Sequence, residues 1–192
     1  MQREPTRAST NPAGEQADPD DDPETAARAI CLRLLTDRAR TRAELAGVLR
    51  KRGIPDSVAE GVLSRFSEVG LIDDATFAEQ WVRTRHSTRG LARRALAAEL
   101  RRKGVDGEVV GQAVAALDRD SEARRARELV DRRLRTISAN DARVVPRLVS
   151  MLARKGYPSG LSYQVVREAL REHGVDGVPD EADFELDHLG DS

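Results

Sequence analysis

A seven-residue pattern recurs three times along the chain and limits the folds open to it. LRKRGIP (49–55), LRRKGVD (100–106) and LARKGYP (152–158) share a leucine, two or three basic residues, a glycine, an apolar residue and then Pro or Asp. Their glycines, Gly53, Gly104 and Gly156, stand 51 and 52 positions apart. Leu45, Leu96 and Leu148 precede those glycines by eight residues, and Val62/Leu63, Ala113/Val114 and Val165/Val166 follow by nine and ten. A period near fifty with three helical stretches per unit describes a solenoid-like array, in which each unit buries its apolar face against the next. The expected architecture is all-α, with three-helix repeats over 23–72, 73–118 and 119–173 and acidic tails at 1–22 and 174–192.

Helix boundaries follow from local chemistry. Gly53, Gly70, Gly104 and Gly156 read as helix terminators, because glycine enters the left-handed region without a Cβ penalty. In the first unit Asp22 is expected to cap a helix that has Pro23 at its first position, with Ala27, Ile30, Cys31, Leu34 and Leu35 on its apolar stripe. Thr41 and Glu44 form a capping box for a second helix carrying Leu45 and Leu49. A third opens at Ile54–Asp56 and turns Val58, Val62, Leu63, Phe66 and Val69 inward. After Gly70, Asp73 or Asp74 caps a helix whose stripe is Phe77, Ala78, Trp81 and Val82. The single Trp and one of three Phe fall there, which makes it the expected central packing element. The second unit reads as helices over about 74–86, 91–103 and 106–117, and the third over about 121–135, 145–155 and 159–172. Pro146 moves the start of the eighth helix from an Asp141 cap to Val144 or Val145. Leu45, Leu49, Phe66, Phe77, Trp81, Leu96, Leu100, Leu148 and Leu152 are the expected core.

Charge is segregated along the chain. The formal net charge is −1, yet residues 1–24 carry −5, residues 25–171 carry +12 and residues 172–192 carry −8. A basic body between acidic ends points to an anionic partner, either nucleic acid or an acidic protein surface. Both tails lack apolar periodicity and are expected to be disordered, since they bury too little surface to offset the entropy of ordering. No apolar run approaches the roughly 20 residues of a membrane span, and the N-terminus has no signal-like apolar region, so a cytoplasmic protein without membrane contact is expected, taken as a monomer. The single Cys31 excludes an internal disulfide and reads as a buried core thiol. His86, His173 and His188 have no carboxylate or cysteine neighbours at metal-ligand spacing. Asp73 and Asp74 read as caps rather than a metal pair, and the glycines form no phosphate loop. No catalytic residue, metal or cofactor is expected, and the chain reads as a binding protein rather than an enzyme.

The basic residues therefore carry the functional expectation. Arg50, Lys51 and Arg52, then Arg101, Arg102 and Lys103, then Arg154 and Lys155 close the second helix of each unit. Cations there complement the helix dipole, each contributing about 0.3–1 kcal/mol, and their recurrence also builds a basic row along stacked units. Arg83, Arg85, Arg89, Arg93 and Arg94 add to this set, as do Arg124, Arg125, Arg132 and Arg133, with Glu128 and Asp131 placed to pair with some of them. No exposed aromatic residue is expected among them, so backbone or protein contacts are favoured over base stacking.

TRAELAGVLRKRG, GLIDDATFAEQWVRTR and ARRALAAELRRKGV resemble the signature of the RecX family, regulators of the bacterial recombinase RecA. The resemblance covers about residues 25–171 and is most specific from Thr41 to Val105. It implies tandem three-helix repeats in a curved, elongated molecule lying in the groove of the RecA filament on single- or double-stranded DNA, where it limits filament growth, ATP hydrolysis and strand exchange. Two other readings stand beside it: a helical protein that binds DNA non-specifically without RecA, and a purely protein-binding helical scaffold. The charge segregation adds one more expectation, that the acidic C-terminal tail folds over the basic body and weakens binding.

Overall fold

A computed structural model of the chain describes residues 22–139 and 141–175. Nine α-helices are present among them and no strand: α1 Pro23–Asp37, α2 Arg42–Lys51, α3 Asp56–Glu68, α4 Asp74–Arg89, α5 Arg93–Arg102, α6 Gly107–Ala115, α7 Arg119–Leu134, α8 Val144–Arg154 and α9 Ser159–Glu172. The expected disorder of the tails concerns residues that, apart from Asp22, Gly174 and Val175, lie outside the described ones.

The recurring heptapeptide is a helix-ending device. Gly53, Gly104 and Gly156 all have positive φ, between 77° and 86°. At each, the N–H of the following apolar residue donates back to the carbonyl of the motif leucine: Ile54 to Leu49 at 3.1 Å, Val105 to Leu100 at 3.2 Å and Tyr157 to Leu152 at 3.2 Å. This reversal satisfies a terminal carbonyl and returns the apolar residue to the interior, which is why the pattern needs leucine, glycine and an apolar residue at fixed spacing. Gly70 ends α3 in the same way with φ 73°. Gly90 (φ 63°) ends α4 three residues later than the expected boundary.

Helices α1–α3, α4–α6 and α7–α9 pack among themselves and close three separate cores. Leu45, Leu96 and Leu148 are fully buried at equivalent places in the three, and Leu49, Leu100 and Leu152 are buried one turn further on. Phe66 and Phe77 are buried as expected, whereas Trp81 is half-buried beside Phe77, with ring centroids 5.6 Å apart. Cys31 is fully buried in the first core, and burial pushes its thiol pKa up. The third core also takes in Ala92, which comes from the turn before α5.

Local departures from expectation have local causes. Val69 is 53 % exposed, because at the C-cap of α3 the chain is already leaving the helical stripe. Asp22 occupies the N-cap of α1 but makes no side-chain capping bond. Asp73 caps α4, accepting from the Thr76 N–H at 2.9 Å, and bonds from Thr76 hold its carboxyl below the usual range. Asp74 does not cap its own helix and instead accepts from the Arg42 N–H at 2.9 Å. Helix α8 starts at Val144, with Asp141 in the preceding turn accepting from the Arg143 N–H at 2.9 Å. The Thr41–Glu44 capping box is complete.

Candidate functional site

The basic residues divide according to how consecutive units are joined. At the first junction the Thr41 hydroxyl donates to the Lys103 carbonyl at 2.7 Å, and the Lys103 ammonium pairs with Glu44 at 2.6 Å. That ammonium also lies 4.4 Å from the centre of the Trp81 ring and 5.4 Å from that of Phe77, close enough for cation–π attraction. Arg85 sits over Trp81 at 4.2 Å, and the indole N–H donates to Glu99 at 2.8 Å. Burial alone works against ionisation of Glu44, but its bonds from Lys103 and from the Thr41 N–H outweigh it and hold the carboxyl below the usual glutamate range.

The second junction repeats this plan one unit along. The Lys155 carbonyl accepts from the Ala92 N–H at 2.9 Å, and the Lys155 ammonium donates to the Arg89 carbonyl at 2.6 Å. Burial lowers the Lys155 pKa, and the neighbouring Arg125 charge adds to the effect. The Arg42 and Arg93 backbone N–H groups, each eleven residues before its unit's glycine, both donate to a carboxylate in the first turn of the next unit: Asp74 at 2.9 Å and Glu122 at 2.8 Å. Glu122 is only 2 % exposed and also takes the Arg93 Nε at 2.7 Å. A Cβ on Gly104 would lie 2.3 Å from the Ala43 Cβ, and one on Gly156 would lie 2.6 Å from the Ala95 nitrogen. These two glycines therefore both end a helix and let the next-lower unit approach.

Five of the candidate cations are thus engaged within the protein: Arg85, Arg93, Lys103, Arg125 and Lys155. Arg125 pairs with Glu128 and also donates to the Ser87 carbonyl. Arg50 sits 3.6 Å from Asp56 with both side chains exposed, Arg124 bonds the Ser121 hydroxyl at 2.9 Å, and Arg52 is exposed with a partner of its own. Lys51, Arg83, Arg89, Arg94, Arg101, Arg102, Arg132 and Arg154 are exposed, and their side chains form no ion pair or hydrogen bond among the described residues. The ends of α2, α5 and α8 therefore present Lys51, Arg101 with Arg102, and Arg154 outward at equivalent places. The half-exposed Trp81 lies between two cations, Arg85 and Lys103, both over its ring.

An open groove on the third unit runs along the outer face of α8, lined by Arg143, Pro146, Arg147, Ser150, Met151 and Arg154, with Arg133 across it. Arg143 and Arg147 lie outside the recurring motif, so the repeat gives no sign of them. Their signal is the spacing of three, four and seven positions along one helix face. Arg147 pairs with Asp141 in the turn before α8. Among the described residues no group of three or more His, Cys, Asp or Glu could hold a metal ion, and no helix is long and apolar enough to cross a membrane.

The fold and this surface define a class: a tandem helical-repeat protein with exposed cations on each of its three units. Two family profiles match the chain, described as "RecX, first three-helix domain" over residues 27–66 and "RecX, second three-helix domain" over residues 73–114. It is 51 % identical to a regulatory protein RecX of Streptomyces lividans over 185 residues, covering 96 % of this chain and 94 % of that one. Over 151 residues it is 58 % identical to a regulatory protein RecX of Thermobifida fusca, covering 78 % and 82 % of the two chains. The chain belongs to the RecX family. The crystal structure of RecX from Lactobacillus salivarius superposes with a TM-score of 0.71 at 20 % identity, over 77 % of this chain and 96 % of that one, and shares the fold.

Proposed function

We propose that this protein binds the RecA nucleoprotein filament and modulates it, chiefly by inhibiting ATP hydrolysis, filament growth and strand exchange in recombination and DNA repair. The observation that carries the reading is the recurrence of Lys51, Arg101 with Arg102, and Arg154 as exposed cations without ion pairs at equivalent places of three joined units. A row of this kind engages a repetitive anionic partner at several points, and each further contact acts at high effective concentration, so no deep pocket is needed. The units that make the row are taken as 23–72, 73–118 and 119–173, and the protein as a cytoplasmic monomer without catalytic groups. The name shared by the relatives, regulatory protein RecX, supports the reading.

The test is ATP hydrolysis by RecA on single-stranded DNA while this protein is titrated. Inhibition well below one copy per RecA protomer is expected. Full activity at a molar excess of folded protein rejects the proposal. A steep salt dependence of binding to naked DNA, with no effect of RecA, would instead favour DNA binding without RecA, since each phosphate neutralised contributes about 0.9 to the slope on duplex DNA.

A further inference from the structure

The arginine groove of the third unit is a counterpart for the acidic end of the same chain. Residues 176–192 carry seven carboxylates and no Lys or Arg, together with the apolar Phe184 and Leu186. The groove offers the complement: Arg133, Arg143, Arg147 and Arg154 around the partly apolar surface of Pro146 and Met151. All four arginines are exposed, and of the four only Arg147 forms an ion pair among the described residues. From Arg143 to Arg154 the helical rise gives a track of about 16 Å.

The chain leaves α9 on the same unit as the groove. Glu172, the last residue of that helix, already seats its carboxylate on Arg127 of α7, at 2.9 and 2.5 Å. Val175, three residues on, packs against the third core, which Met151 also touches from the groove side. From there, 17 residues reach up to on the order of 55 Å when extended, about three times the length of the groove. Tethering on the same unit gives the acidic segment an effective concentration in the millimolar range, so a weak contact suffices for occupancy.

We infer that residues 176–192 occupy the groove of Arg133, Arg143, Arg147 and Arg154 in cis and withhold these cations from an external anionic partner. The tail is a competitor for part of the basic surface, and its hold weakens as salt rises. This assignment does not depend on which macromolecule the rest of the surface binds.

The chain supplies its own reporter, because Met1 and Met151 are its only methionines and Met151 lines the groove. With 13C-methyl methionine in the full chain and a nitroxide on Ser192→Cys, the Met151 signal is expected to lose most of its height relative to the reduced label. Cys31, fully buried with a raised thiol pKa, stays unlabelled. The signal should recover in an Arg143→Glu, Arg154→Glu variant. It should recover independently when the carboxylates at 180, 181, 183, 185 and 187 are replaced by amides, which leaves the folded units untouched. Equal Met151 heights with oxidised and reduced label overturn the inference. So does a Met151 signal that ignores the label but shifts with single-stranded DNA, which would make the groove a nucleic-acid subsite.

Discussion

The Thr41 hydroxyl and the Lys103 carbonyl are 2.7 Å apart and joined by a hydrogen bond across 62 residues of sequence. The same hydroxyl accepts from the Glu44 N–H at 3.1 Å, so one fully buried side chain caps α2 and fastens the first unit to the second. Thr41→Val keeps the shape and removes both bonds. Loss of the cap costs about 0.5–2 kcal/mol and a carbonyl left without its donor about 1–3 kcal/mol. Urea unfolding should show a loss within the sum of those ranges, with Thr41→Ser restoring most of it. A Thr41→Val protein as stable as the parent would mean that the hydroxyl contributes nothing to the junction.

Gly53 and Gly104 share a φ of 77° but differ in surroundings. Nothing lies within 4 Å of a Cβ built on Gly53, whereas one on Gly104 collides with Ala43. Gly53→Ala should therefore cost about 1–3 kcal/mol of backbone strain. Gly104→Ala should add about 1–3 kcal/mol of overpacking to that cost. Denaturation midpoints of the two variants, compared side by side, separate strain from packing. Equal losses would show that the junction yields to the methyl group.

Glu44 gives the first junction a pH dependence of defined sign. Its carboxyl is held below the usual range in the folded protein, so its contribution is fully present above the unfolded value of about 4.3 and is lost as pH falls through the lower folded value. Glu44→Gln should be less stable than the parent above about pH 5, and the two curves should converge at lower pH. Chemical denaturation at stepped pH, followed by the fluorescence of Trp81 beside Lys103, reads this directly. A constant gap down to pH 3 would place the effect outside the carboxylate.

Arg101 and Arg102 are exposed and form no ion pair among the described residues, so reversing both to Glu should leave the unfolding free energy within about the ±0.5 kcal/mol typical of surface changes. The proposed inhibition of RecA should weaken by tenfold or more, because two cations become anions at the centre of the row. Lys103→Met should instead lower stability, through loss of its bond to Glu44. If the Arg101/Arg102 reversal leaves inhibition unchanged in a folded protein, the basic row is not the contact surface.

Much of this architecture is legible without coordinates, because its signals are short-range. The glycine terminators, the Thr41–Glu44 box and the buried leucines all depend on residues within about one or two helical turns. What escapes is whatever depends on the next unit. Lys103 and Lys155 stand at helix ends among exposed cations, and nothing local shows that their carbonyls and ammonium groups turn into a junction. Glu122 reads as a surface residue of a charged helix, yet Arg93 covers it. Arg143 and Arg147 carry no repeat signal because the second unit has Leu91 and Ala95 at the corresponding positions.

The three cores described above close almost entirely within their own fifty or so residues, apart from the small loan of Ala92 to the third. A chain built this way has low contact order, and loop closure within each unit is inexpensive in entropy. During synthesis the first unit can complete its core before the third has been made. Assembly is then a matter of adding finished pieces, each new one latching its glycine turn onto the start of the second helix in the piece before it.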